Sequence, residues 1–396
     1  MRIAIFLAPA AVGAALFGGC SPAEEPTDGG FLPSGGGSSS AGTAAATAGV
    51  STTAGNTSTT GGSSTGGSGM TTGGISGSST AGGMSGGGGN GNVSGAGGSG
   101  GGAPTGPQKT LGCGKEPGQS LGGWKSYDVP LSGQTLGNPH QHTKRTIHVR
   151  LPPDYNPATP YRIVYIGVGC QANDASTASY QLWDASVGGD PNAIYVAMNL
   201  PDPATNNNCY DNRAGTNSIE WESLDHDHAF VSDKFCIDNN KVYMGGYSSG
   251  GWIANMFSCY FGKPPTPPRK FLPNVAIRGV MAVAGCWIDG NPTCNGPVAG
   301  IWIHDEGDAG ANPYSCAVEQ KDRLLAQNGC TGGATGPTEP WGADFFKSGS
   351  CVKYTNCPAE YPVVFCKTTT RGHDPQNNNA IPGFTKFVSD IEAAAP

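Results

Sequence analysis

The chain has 396 residues and a formal net charge of −7, from 22 basic and 29 acidic side chains. That balance, with no run of basic residues, argues against a nucleic acid as partner. Charged residues make up only 13% of the sequence, but a long uncharged stretch dilutes that figure, so it says nothing about the folded part.

Residues 1–19 carry one positive charge, Arg2, and then an apolar run over residues 3–17, too short to remain as a bilayer span. The run ends in Leu16-Phe17-Gly18-Gly19-Cys20, which resembles a bacterial lipoprotein signal in which Cys20 becomes the lipid-bearing first residue. The alternative is an ordinary secretory signal with a nearby cysteine. Export is expected either way, to the outer membrane or cell surface as a lipoprotein, or into the medium. Over residues 21–108 the composition falls to Gly, Ser, Thr and Ala, which cannot bury enough apolar surface to offset chain entropy. This stretch is expected to be a disordered tether with a root-mean-square reach of about 50 Å.

Residues 109–396 are the length of one α/β domain. Of 13 cysteines, Cys20 stands apart and the other twelve lie in this region. An even number in an exported domain points to disulfides, up to six of them, and the absence of any C-x-x-C pair speaks against zinc. The short loops from Cys286 to Cys294 and from Cys351 to Cys357 are the expected local pairs.

The elements then alternate. Residues 145–151 (RTIHVRL) read as a strand, 161–167 (YRIVYIG) as a buried strand and 193–199 (AIYVAMN) as another. Residues 218–234 have helical spacing, with Asp225-His226-Asp227-His228 as its polar face. Next, residues 241–257 (KVYMGGYSSGGWIANMF) give a short strand, a glycine turn and an amphipathic helix. Strands follow at 279–287 and 299–303, a helix near 317–327, a last strand at 362–368 and a closing helix at 382–393. Trp252 and Trp287 are expected in the core, and Trp287 also as a wall of the substrate cleft. Buried strands separated by helices imply a mostly parallel sheet covered on both faces.

At the glycine turn stands Gly246-Tyr247-Ser248-Ser249-Gly250, the G-x-S-x-G nucleophile elbow. The five-residue pattern alone is weak, since it also occurs around Ser85 and Ser99 in the glycine-serine tract; only Ser248 has a strand before it and a helix after. A serine hydroxyl needs a base, and the base an acid to orient it. Two histidines follow Ser248. His373 sits in a loop just past the last strand, where an imidazole can reach the elbow, whereas His304 comes directly off a strand and precedes the acids. For the acid, Asp308 lies farthest into the turn His304-Asp305-Glu306-Gly307-Asp308, and Asp305 is its rival. An oxyanion hole would use the amide of Ser249 and one from Val168-Gly169-Cys170-Gln171, with Gly169 and Cys170 as candidates. The pair His140 and His142, with no acids nearby, reads as solvated rather than as a metal site.

These residues resemble the secreted serine esterases of the feruloyl esterase and polyhydroxybutyrate depolymerase type, in the α/β-hydrolase superfamily. The resemblance rests on GYSSGG and its helix, on Phe235-Cys236-Ile237-Asp238, on Leu151-Pro152-Pro153-Asp154-Tyr155, on Asp308, on the segment RLLAQNGC at 323–330 and on Gly372-His373. It implies a disulfide-rich α/β-hydrolase fold and a Ser248, Asp308, His373 triad that hydrolyses esters without metal or cofactor. Tyr247 and Trp287 would line the cleft. The chain departs from the family twice: Val168-Gly169 stands where a His-Gly dipeptide is usual, and the His-Gly-x-x-Asp acid turn has Asp305 for the glycine. The implied substrate is an extracellular polymer, feruloylated or acetylated xylan first and polyhydroxyalkanoate second, with the protein acting as a monomer that meets a membrane only through its lipid. Two other classes share these residues, a peptidase and a surface-binding lipoprotein that has lost catalysis.

Overall fold

The computed structural model describes residues 106–131, 143–170, 189–200, 209–211, 219–262, 272–273, 275–286, 294–310, 312–347 and 349–394. The chain divides into two units, Met1–Asn92 and Val93–Pro396, and every described residue belongs to the second. The signal with Cys20, the expected tether as far as residue 105, His140, His142, Gln171 and Trp287 lie outside the described residues.

The central runs are apolar on both faces, as strands roofed by helices above and below must be. β3 (Tyr161–Gly167), β4 (Ala193–Met198), β5 (Ile237–Tyr247), β6 (Ile277–Val283), β7 (Ala299–Asp305) and β10 (Val363–Thr368) run parallel. β1 (Trp124–Pro130) and β2 (Lys144–Arg150) extend one side as antiparallel strands, and β9 (Gly349–Tyr354) with β8 (Thr338–Pro340) extend the other. The ten-stranded order is β1-β2-β4-β3-β5-β6-β7-β10-β9-β8. With α1 (Ile219–Lys234), α2 (Ser249–Tyr260), α3 (Tyr314–Gln327) and α4 (Asn377–Ala394), this is the α/β-hydrolase fold.

Three strands escape sequence reading. β1 alternates around charged residues at the edge, and β8 is three exposed residues. β9 is polar, yet its register opposite β10 pairs Cys351 with Cys366, which are bonded. The strand read over residues 279–287 ends earlier, at Val283, because Ala284 turns to a φ of 46° and leaves the sheet. The closing helix begins before Pro382, at Asn377, where the Gln376 carbonyl accepts the amides of Asn379 and Ala380 at 2.8 Å each.

All twelve cysteines of the domain are bonded: Cys113–Cys236, Cys170–Cys209, Cys259–Cys294, Cys286–Cys316, Cys330–Cys357 and Cys351–Cys366. Both local pairings expected from loop length are therefore wrong. Cys286 leaves the end of β6 and meets the first turn of α3, whereas Cys294 lies beside the end of α2, where the amide of Asn295 donates to the Cys259 carbonyl. Tertiary neighbours, rather than short spacing, select the partners.

The polar face assigned to α1 also needs correction. Asp227 and His228 are buried, and only Asp225 and His226 reach partly to water. Arg145 from β2, fully buried, donates to Glu220 and, at 3.1 Å, to Asp227. Burial pushes the Asp227 carboxyl up to about 6 against the pull of Arg145. His228 pairs its Nδ1 with the Tyr165 hydroxyl at 2.9 Å and its Nε2 with Asn239 at 3.1 Å, and burial lowers it to about 4, so it is neutral.

Candidate active site

β5 ends at Tyr247, Ser248 takes a φ of 54° and ψ of −118°, and α2 begins at Ser249. A side chain with a Cβ rarely adopts that φ, so the serine is held in a strained turn by what surrounds it. The flanking glycines are what allow the turn to close. A Cβ on Gly246 would lie 2.0 Å from the Gly250 carbonyl oxygen, and one on Gly250 would lie 2.1 Å from that of Gly167. β3, β5 and α2 thus meet backbone to backbone beneath Ser248. The amide of Ser248 donates to the Val283 carbonyl at 2.9 Å, which ties the elbow to β6.

Two loops at the same end of the sheet bring the other groups. β10 runs into the segment carrying Gly372, at a φ of 58°, and His373. The imidazole Nε2 lies 3.0 Å from Ser248 Oγ and its Nδ1 lies 2.8 Å from Asp308 Oδ2. Asp308 is reached from the end of β7, and its side chain is 2% exposed against 38% for His373. A buried carboxylate at Nδ1 fixes the tautomer with its proton there, leaving Nε2 as an acceptor toward the serine. Tyr247 supports the same residue. Its hydroxyl donates to the His373 carbonyl at 3.2 Å, and its ring centroid is 5.2 Å from that of the imidazole.

The rivals sit elsewhere. His304 is buried, donates Nε2–H to the Asn312 carbonyl at 2.7 Å and lies 3.5 Å from Asp308 Oδ2. Burial pulls its pKa down, so it stands neutral behind Asp308. Asp305 points away from the imidazole: Oδ2 accepts the Thr368 hydroxyl at 2.6 Å and the Arg371 amide at 2.7 Å, and Oδ1 accepts the Gly307 amide at 2.8 Å. Burial alone would raise its pKa, but these hydrogen bonds outweigh it and hold the carboxyl below its usual range.

Ser249, Gly169 and Cys170 also converge on this end of the sheet. Ser249 Oγ donates to the Val168 carbonyl at 3.1 Å, which seats the start of α2 against the turn after β3. That turn is held from behind, because the Val168 amide donates to the Tyr210 hydroxyl at 3.2 Å and Cys170 is bonded to Cys209. Trp252 is only partly buried rather than core; its Nε1 donates to Asn312, the residue that also receives His304. Tyr210, Asn312, Thr368 and Gln376 had no signal in the sequence: the first three meet partners far along the chain, and Gln376 reaches back across the His373 loop to Thr368.

A serine hydroxyl, an imidazole and a carboxylate in this row, at the N-terminus of a helix, can carry acyl transfer through a covalent intermediate. Neither the acylation nor the deacylation of such a reaction calls for a redox or metal centre.

No family model matches the chain. Among curated proteins, it is 26% identical over 284 residues to feruloyl esterase D of Neurospora crassa, across 69% of this chain and 84% of that protein. It is 26% identical over 225 residues to a probable feruloyl esterase C of Aspergillus niger, across 55% of this chain and 69% of that one. A solved structure of a ferulic acid esterase from Anaeromyces mucronatus, in complex with ferulic acid, aligns with a TM-score of 0.40 at 14% identity, over 72% of this chain and 95% of that chain. The chain thus has the α/β-hydrolase fold and is similar in sequence to feruloyl esterases.

Proposed function

We propose that the protein is a serine esterase that cleaves hydroxycinnamoyl esters, of the kind that join ferulate to plant cell-wall polysaccharide. The observation that carries this reading is the row from Ser248 Oγ to His373 Nε2 at 3.0 Å and from His373 Nδ1 to Asp308 Oδ2 at 2.8 Å, set on a strained elbow. The similarity to feruloyl esterases supplies the acyl group.

In this mechanism Ser248 attacks the ester carbonyl as His373 Nε2 takes its proton, and Asp308 stabilises the imidazolium that forms. The oxyanion is held by the amide of Ser249 and that of Gly169 or Cys170, in a site already at the positive end of α2. His373 then gives its proton to the departing alcohol. Water enters, His373 deprotonates it, and attack on the acyl-serine releases the acid and regenerates Ser248. No metal or cofactor takes part.

Methyl ferulate, p-nitrophenyl acetate and a short 3-hydroxybutyrate oligomer, offered to the full chain and to Ser248→Ala, test the reading. Ferulate release that disappears in the variant is the expected result. Cleavage of the oligomer alone would move the substrate to a polyester. No turnover of any ester and no labelling of Ser248 by a fluorophosphonate, in folded protein, would leave a non-catalytic surface protein. Export is part of the proposal, supported by six disulfides, which persist in oxidising compartments. Lipidation at Cys20 predicts that Cys20→Ala is released from the membrane fraction; if the variant and the wild type partition alike, the anchor is not there.

A further inference from the structure

We propose that Asp305 is a positioning residue, whose buried carboxylate anchors the loop that carries His373 while its backbone anchors the turn that carries Asp308. The inference rests on the roles proposed above for Ser248, His373 and Asp308.

Asp305 is the last residue of β7 and pairs in register with Thr368, the last residue of β10. From that point one strand departs toward Asp308 and the other toward His373. The carboxylate spans the fork. Oδ2 takes the Thr368 hydroxyl at 2.6 Å and the Arg371 amide at 2.7 Å, so the first residues of the His373 loop are bound to it directly. Oδ1 takes the Gly307 amide at 2.8 Å, and the Asp305 carbonyl accepts the amide of Asp308 at 3.2 Å, which winds the other branch into a tight turn. The amide of Glu306 also donates to the Thr368 carbonyl at 2.8 Å and sews the two branches together.

The far end of the His373 loop returns to the same place. Gln376, fully buried and at a φ of 51°, reaches Thr368 Oγ1 with its Nε2 at 3.3 Å, while its carbonyl starts α4. Both ends of the loop are therefore tied, within two hydrogen bonds, to one carboxylate. Asp305, Thr368 and Gln376 are each 0% exposed. By contrast, the ion pair across the loop, Arg371 with Asp374 at 3.2 Å, has both side chains more than a third exposed and contributes little. His373 itself is 38% exposed and makes its polar contacts with Asp308, Ser248 and Tyr247. Its place over the elbow is set by the loop's ends, and those meet at Asp305. The same bonds explain why Asp305 is not the acid: the donors it receives come from Thr368, Arg371, Gly307 and the Gly372 amide, none from the imidazole.

The test uses the full chain with Asp305→Asn and Thr368→Val. Asn keeps the size and turns one acceptor into a donor, so either the Thr368 hydroxyl and Arg371 amide of the His373 loop or the Gly307 amide of the Asp308 turn loses its acceptor. Expected in D305N is a kcat on p-nitrophenyl acetate lowered about 10–100-fold with KM within about twofold, the signature of a base displaced by about 1 Å. In T368V the loss is smaller, about 3–10-fold, because the Arg371 amide bond remains. A second readout needs no turnover: the downfield proton resonance of His373 Nδ1, identified by its disappearance in His373→Ala, should broaden or vanish in D305N. A folded D305N with wild-type kcat and an unchanged resonance overturns the proposal. Should the wild type hydrolyse no ester, loss of the resonance in D305N upholds the positioning role while the esterase reading falls, and its persistence overturns the positioning role as well. If D305N does not fold, T368V is read on the same two measurements, and an unaltered kcat and resonance there is the refuting result.

Discussion

Replacing Asp308 by Asn separates the two acids at the end of β7. The carboxylate accepts His373 Nδ1 at 2.8 Å, and its side chain is 2% exposed. When His373 holds the serine proton, an imidazolium and a carboxylate face each other with charge centres about 4 Å apart, worth about 4 kcal/mol at an effective dielectric of about 20. The outer, solvent-facing side of His373 weakens that figure, and the loss of the correct tautomer in the variant strengthens it. At about 1.4 kcal/mol per decade, kcat should fall about 10³-fold. KM should change little, because the interaction grows only as the transition state forms. Steady-state hydrolysis of p-nitrophenyl acetate by wild type, D308N, D305N and S248A measures this directly. Adding D308N to S248A should lower the residual rate hardly further, since residues acting as a unit are not additive. A D308N enzyme within tenfold of wild type, beside a D305N enzyme crippled about 10³-fold, would refute the assignment and make Asp305 the acid.

Other expectations concern stability. Asp305 has a depressed pKa, so its contribution is complete above the ordinary carboxylate range and is lost as pH falls through the folded value; the thermal midpoint should drop on acidification below about pH 4, and less steeply in D305N. A parallel slope in the two proteins would contradict this. Arg145→Met removes the buried cation that Glu220 and Asp227 share, and should destabilise the fold by about 3–5 kcal/mol at pH 7 in denaturant titrations. Burial raises Asp227 to about 6 against the pull of Arg145; without that pull the carboxyl is raised further and takes up its proton at higher pH, so the R145M deficit should be smaller at pH 5 than at pH 7. A deficit independent of pH would show that Asp227 stays ionised. Gly250→Ala drives a Cβ to 2.1 Å from the Gly167 carbonyl oxygen, backbone against backbone, so neither soluble folded protein nor fluorophosphonate labelling of Ser248 is expected; a wild-type labelling rate would mean that β3 and α2 can part at little cost.

Much of this site was legible in the chain because its chemistry is local. Gly246-Tyr247-Ser248-Ser249-Gly250 forces its own turn, since the strand, the close-packed glycines and the helix are contiguous, and the apolar runs that become β3, β5, β6 and β10 announce a sheet covered on both faces. His373 could be placed over the elbow from its position past the last strand. What remained open was every choice between near neighbours. Asp305 and Asp308 lie in one five-residue turn, and position in that turn only favours Asp308; the register of β7 against β10 separates them, by giving Asp305 to Thr368 and Arg371 and leaving Asp308 to His373. Cysteine pairing failed for the same reason, as Cys351 meets Cys366 across an antiparallel ladder and Cys286 meets α3. The charged run of α1 turned inward because Arg145 waits on β2. Sequence alone determined which backbone turns and strands could form and which residue types could do the chemistry. Which side chains meet depends on strand register and helix docking, contacts between residues far apart in the chain, and only the tertiary structure decides those.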